Sequence, residues 1–178
     1  AMRSVFQGLM TYQPGKAALQ LEAAAEVKQR SPTTIDFRLK PGQMFSDGFG
    51  EMTAEDVKFS FERIGLPPKD GAKVSTYQSD WLGLVAVEVK GKYEGRIVLD
   101  KPRANVFDVV IADGSGFIVS KKAVEQRGAE FATRPVGSGP YRVAEYDRQK
   151  GVVLQRNPAY AGGRKTKYDE IAIRTISD

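Results

Sequence analysis

A mixed α/β fold, in which helices pack against a sheet, is what three features of this sequence predict. Residues 34–40 alternate polar and apolar and put Ile35, Phe37 and Leu39 on one face of a strand. Residues 53–64 carry a helix start, an apolar stripe and a stop. Val85, Val87 and Val89 alternate with Ala86, Glu88 and Lys90, and residues 96–100 return after the turn at residues 92–95, as a hairpin does. At 178 residues the chain can bury a sizeable core, as one domain or one and a half.

In chain order, residues 4–10 read as the end of a short helix, with Val5, Phe6, Leu9 and Met10 apolar, and Thr11-Tyr12 starts a strand before the Pro14-Gly15 turn. Residues 19–29 are helix-prone by composition but their conformation stays open, and Ser31-Pro32-Thr33 turns the chain into the alternating strand. Pro41-Gly42 and Asp47-Gly48 break that strand. Thr53 is then a good N-cap, Asp56 occupies the third position of a capping box, and Met52 with Val57 can form a hydrophobic staple. Glu55 and Asp56 at the start and Arg63 at the end suit the helix dipole. Ala54, Val57, Phe61 and Ile64 form the face to be buried, and Gly65-Leu66-Pro67-Pro68 ends the helix.

Residues 69–79 read as a polar surface loop and residues 80–84 as a helix or turn, with Trp81 packing in the core. A helix is expected over residues 104–112, with Val106, Val109 and Val110 inward and Asp113-Gly114-Ser115-Gly116 ending it. A short strand (117–119) and a helix (121–127) stopped by Gly128 follow. In Gly137-Ser138-Gly139-Pro140-Tyr141 the glycines permit tight backbone packing, and Pro140 sets the entry to a strand that pairs with residues 151–156. No helix N-terminus follows these glycines, so they read as structural and not as a phosphate loop. Residues 168–176 end the pattern in a strand, with Ile171, Ile173 and Ile176 apolar.

Composition removes several chemistries. With no histidine and no cysteine, a zinc site, a Ser-His-Asp triad and a Cys-His pair are all excluded. No GxxxxGK[ST] or GxGxxG loop occurs at a strand–helix junction. The net charge of +5 is spread among acids along the chain, and the cluster Arg164, Lys165 and Lys167 reads as a solvated loop, so no nucleic-acid partner is expected. The acids Asp47, Glu51, Glu55 and Asp56 are explained by turns and caps, so no metal, cofactor or catalytic residue is expected there. No apolar run approaches the roughly 20 residues needed to cross a membrane. No signal peptide is visible where Ala1-Met2-Arg3 leads into Ser4-Val5-Phe6.

The order of short motifs says more than any one of them. Phe37-Arg38-Leu39-Lys40-Pro41-Gly42, Phe45-Ser46-Asp47-Gly48, Thr53-Ala54-Glu55-Asp56-Val57, Val136-Gly137-Ser138-Gly139-Pro140-Tyr141 and Asn157-Pro158-Ala159-Tyr160 follow one another. This succession resembles extracellular solute-binding protein family 5, the substrate-binding proteins of peptide- and nickel-type ABC importers. Two departures are Val27 where the family shows an aromatic after Ala-Glu, and Ala161 where it usually carries Trp.

The resemblance implies a periplasmic-binding-protein type II-like fold, here the small N-terminal lobe plus flanking strands of the first large lobe. It divides the chain into an opening segment of large lobe I (residues 1–34), the small lobe (35–134) and returning strands of large lobe I (135–178). It implies a fragment whose signal peptide and second large lobe lie elsewhere in a longer protein, in a periplasmic or extracytoplasmic location. It further implies a small-molecule or peptide ligand, an ABC permease in the membrane as partner, and no enzymatic activity. The ligand-binding residues it points to are Tyr77, beside the only Trp, and Asp113, Gly114, Ser115 and Gly116, each with a structural alternative as loop or helix stop. A carboxylate-based hydrolase domain and a self-contained protein-interaction module stand as alternatives, the first needing an acid pair in a pocket and the second an exposed apolar patch.

Overall fold

The computed structural model describes residues 2–68 and 75–175, which form two compact units. The expected loop at 69–79 falls partly outside the described residues, as does Ile176.

One unit holds Gln7–Pro41 and Thr53–Ile118. Its centre is an antiparallel four-stranded sheet built from β1 (Ala24–Ser31), β2 (Thr34–Leu39), β3 (Leu84–Val89) and β4 (Glu94–Leu99), in the order β1-β2-β4-β3. The register Ile35↔Ile97 and Val87↔Ile97 stacks buried side chains in one row across three strands. Helix α1 (Ala54–Gly65) covers that face with Ala54, Val57 and Phe61, all fully buried. Asp56 closes its N-terminus, accepting the Thr53 backbone N–H at 2.9 Å and the Thr53 hydroxyl at 3.1 Å. Gly95 has a packing reason: a Cβ there would lie 2.5 Å from the Phe37 ring.

The other face of the sheet is a lattice of opposite charges. Across the strands Glu26 faces Arg38, Arg38 faces Glu94, Lys28 faces Asp36, and Arg96 stands between Asp36 and Glu88. Asp36 accepts from Arg96 Nε at 2.6 Å and from Arg30 Nε at 2.9 Å.

The other unit holds residues 2–6, Gly42–Met52 and 119–175. Its sheet runs β7-β6-β5, with β5 (Tyr141–Asp147), β6 (Gly151–Arg156) and β7 (Glu170–Arg174) all antiparallel. Helix α2 (Lys121–Arg127) starts on Ser120, whose hydroxyl accepts the Ala123 N–H, and stops at Gly128 with φ 51°. The Gly137–Gly139 turn packs on the N-terminal residues: Gly139 N–H donates to the Val5 carbonyl at 2.8 Å, and a Cβ on Gly137 would collide with that same oxygen. Ser46 N–H donates to the Gly137 carbonyl at 2.9 Å, which brings residues 42–52 into this unit. The units therefore cut the chain differently from the expected 1–34, 35–134 and 135–178. Ladder bonds of β1 to β2 draw the earlier residues into the four-stranded unit, and the bond to Gly137 draws residues 42–52 out of it.

Three local expectations are corrected, and one stretch that the sequence leaves open is decided. The helix-prone stretch 19–29 is extended, as Leu19–Leu21 and β1, because its backbone groups pair with Met10–Tyr12 and with β2. The helix expected over 4–10 ends at Val5, and Gln7–Gly8 forms a strand with Phe117–Ile118. Val85 points outward and is 53 % exposed, because a register shift between Leu84 and Ala86 breaks the alternation. Residues 106–111 form a π-helical turn, with the Ala112 N–H donating to the Phe107 carbonyl at 3.0 Å. The wider turn puts Val106, Val110 and Ile111 inward and leaves Val109 exposed.

Candidate functional site

The candidate ligand-binding residues lie on two loops of the four-stranded unit that one buried hydrogen bond ties together. Trp81 closes the 3₁₀ turn Gln78–Trp81, stacks on Phe61 with ring centroids 4.4 Å apart, and donates its indole N–H to the Ser115 carbonyl at 2.9 Å. Trp81 is 1 % exposed, the core role expected of it. Its partner Ser115 lies in the turn Gly114–Gly116 that follows the π-helical segment.

Tyr77 and Asp113 are the members that reach solvent. The Tyr77 side chain is 55 % exposed, and its backbone N–H donates to Ser75 Oγ at 3.2 Å. Asp113 is exposed, and its carbonyl accepts the Gly116 N–H at 2.9 Å. Gly114 is half-buried with room for a Cβ, whose nearest neighbour would be the Phe117 ring at 4.0 Å. Ser115 and Gly116 are buried, and a Cβ at Gly116 would strike the carbonyls of Val110 and Ile111. These two shape the turn, while Tyr77 and Asp113 present chemistry at its surface.

Two further residues hold this region and carried no sequence signal. Arg103 donates to the carbonyls of Asp80 at 2.6 Å and Leu82 at 2.9 Å, pinning the Trp81 turn. The Tyr12 hydroxyl donates to the Asp108 carbonyl at 2.8 Å and buttresses the π-helical turn. All three bonds join residues far apart in sequence to backbone oxygens, which no spacing rule reveals.

The other charged groups are arranged for structure. Arg96 first, then Arg30, holds the Asp36 carboxyl down at about 2, against desolvation that acts the other way. Glu88 is lowered by Lys90, and Asp147 by the backbone N–H groups of Lys150 and Gln149. Asp47, with φ 57°, accepts Arg127 Nη2 at 2.9 Å, while Glu51 accepts the Gly42 N–H at 2.6 Å. Among the described residues no group of three or more Asp or Glu side chains is placed to hold a metal ion, and no helix is long and apolar enough to cross a membrane.

The fold of this chain matches part of the fold of periplasmic binding proteins. It matches the structure of MoaA from A. tumefacien R10 in complex with mannopinic acid with a TM-score of 0.88 and 26 % identity, over 99 % of this chain and 35 % of that one. The periplasmic binding protein DppA from Helicobacter pylori, in complex with the peptide STSA, matches in fold with a TM-score of 0.85 and 24 % identity, over 97 % of this chain and 37 % of that one. In sequence, the glutathione-binding protein GsiB of Salmonella typhimurium is 23 % identical over 176 residues, 99 % of this chain and 33 % of its own length. Residues 19–178 match the family of bacterial extracellular solute-binding proteins, family 5, and the chain belongs to that family. It spans about a third of the length of these three proteins.

Proposed function

We propose that this chain is part of an extracytoplasmic substrate-binding protein that captures a peptide and hands it to an ABC importer in the membrane, with no chemistry done on the solute. The observation that carries this reading is membership of the solute-binding family over residues 19–178. Fold likeness to binding proteins in complex with mannopinic acid and with the peptide STSA, and sequence likeness to a glutathione-binding protein, support it. Peptide is preferred among these solutes because a peptide is the bound solute in DppA and glutathione is itself a small peptide.

In this reading the unit built on the four-stranded sheet is the small lobe, and the other unit is part of the first large lobe. The tied loops form one wall of the cleft: Tyr77 offers an aromatic face for stacking, and Asp113 offers a carboxylate to the solute's ammonium end. Gly114, Ser115 and Gly116 set the backbone of that wall. The second wall comes from the sequence that the longer relatives have and this chain does not span. Enclosing a ligand needs both walls, so half a cleft keeps the entropic cost of capture and loses much of the contact.

Titration calorimetry of the full-length gene product and of this chain, against a panel of short peptides with mannopinic acid as the opine control, tests the reading. The full-length product is expected to bind a peptide, and this chain to bind it weaker by orders of magnitude. Binding of mannopinic acid and no peptide would refute the solute class. A dissociation constant near micromolar for this chain alone would refute the half-cleft.

A further inference from the structure

We propose that the Lys58–Glu62 pair of α1 closes the outer edge of the four-stranded sheet, so that β3 cannot accept an added strand from a second copy of this chain. In the order β1-β2-β4-β3, β3 is an edge strand among the described residues, and an edge presents backbone N–H and C=O groups that template further pairing. At the middle of β3 those groups are taken. Glu62 Oε1 accepts the Val87 N–H at 2.8 Å, and Lys58 Nζ donates to the Val87 carbonyl at 3.0 Å. The two side chains also bond each other at 2.6 Å, one turn apart on the helix. Together they reproduce the donor and acceptor of a residue on a neighbouring strand.

Val87 is the decisive place to block. Outward backbone groups recur at every second residue, and β3 has only six residues. The register shift between Leu84 and Ala86 already spoils one end of the ladder, so closing Val87 leaves no two successive sites for an added strand. The edge needs closing because Leu82 and Val85, 67 % and 53 % exposed, put apolar surface beside it that a second copy would cover. The opposite edge is blunted in another way: β1 carries two register shifts and the charges of Glu26, Lys28 and Arg30.

The test is self-association of the Lys58→Ala/Glu62→Ala double variant of this chain, followed by sedimentation velocity over a wide concentration range. The variant is expected to associate about tenfold or more tightly than the parent chain, with new amide protection confined to residues 84–89. Glu62→Gln keeps an acceptor for the Val87 N–H and is expected to behave as the parent. A double variant with unchanged circular dichroism and no added association overturns the proposal, as does Glu62→Gln associating as strongly as the double variant. Hydrogen exchange on the unaltered chain needs no variant to fold: the Val87 amide is expected to exchange slowly, and free exchange there also overturns the closure.

Discussion

Asp36→Asn removes the carboxylate at the centre of the charged sheet face and leaves its size unchanged. Asp36 accepts from Arg96 at 2.6 Å and from Arg30 at 2.9 Å, and its carboxyl is lowered from 3.8 to about 2. At about 1.4 kcal/mol per unit, a shift of that size in full would stabilise the fold by somewhat over 2 kcal/mol above both values. Solvent screens much of it, because the side chains of Arg30 and Arg96 are 58 % and 33 % exposed, so the expected loss on substitution is about 1 kcal/mol at neutral pH. The sign follows from the depressed value. The stabilisation is fully present above the unfolded value of 3.8 and is lost as pH falls toward and through about 2. Urea denaturation of parent and variant from pH 7 to pH 2 checks this: the gap between them should narrow between about pH 4 and pH 2 and shrink in high salt. A gap that is absent at pH 7, or that stays constant down to pH 2, would refute the assignment of Asp36 as a charge-paired carboxylate.

Three other substitutions probe the framework. Thr53→Ala should cost about 1 kcal/mol in chemical denaturation through lost capping of α1, and a loss under a few tenths would mean that the cap lies elsewhere. Trp81→Phe keeps the ring on Phe61 but strands the Ser115 carbonyl, so it should cost about 1–3 kcal/mol and raise amide exchange at both tied loops, while unchanged exchange at residues 113–116 would refute the tie. Gly137→Ala forces a Cβ against the Val5 carbonyl and should cost about 3 kcal/mol, read as a lowered thermal midpoint.

Where local rules suffice, the sequence by itself determined the structure. The alternation of Ile35, Phe37 and Leu39 needs only a sheet with one buried face, and the Thr53 start of α1 needs only groups within four residues of each other. The Gly128 stop and the tight Gly137–Gly139 turn are likewise written in residue type, since they rest on backbone freedom and on the absence of a side chain. The succession of such motifs also carried the family, which the match over residues 19–178 bears out.

Tertiary structure decided what depends on a partner distant in sequence. Residues 19–29 are helix-prone by composition, but pairing with Met10–Tyr12 and with Thr34–Leu39 satisfies their backbone groups in strands, and that gain outweighs propensity. The outward turn of Val85 comes from a register shift against β4, which no pattern within β3 announces. Among the candidate site residues, sequence put Ser115 and Asp113 on the same footing. The indole of Trp81, arriving from 34 residues earlier, buries the first and leaves the second in water. A residue's type states which bonds it can make, and only the folded chain states which of its distant neighbours comes within reach.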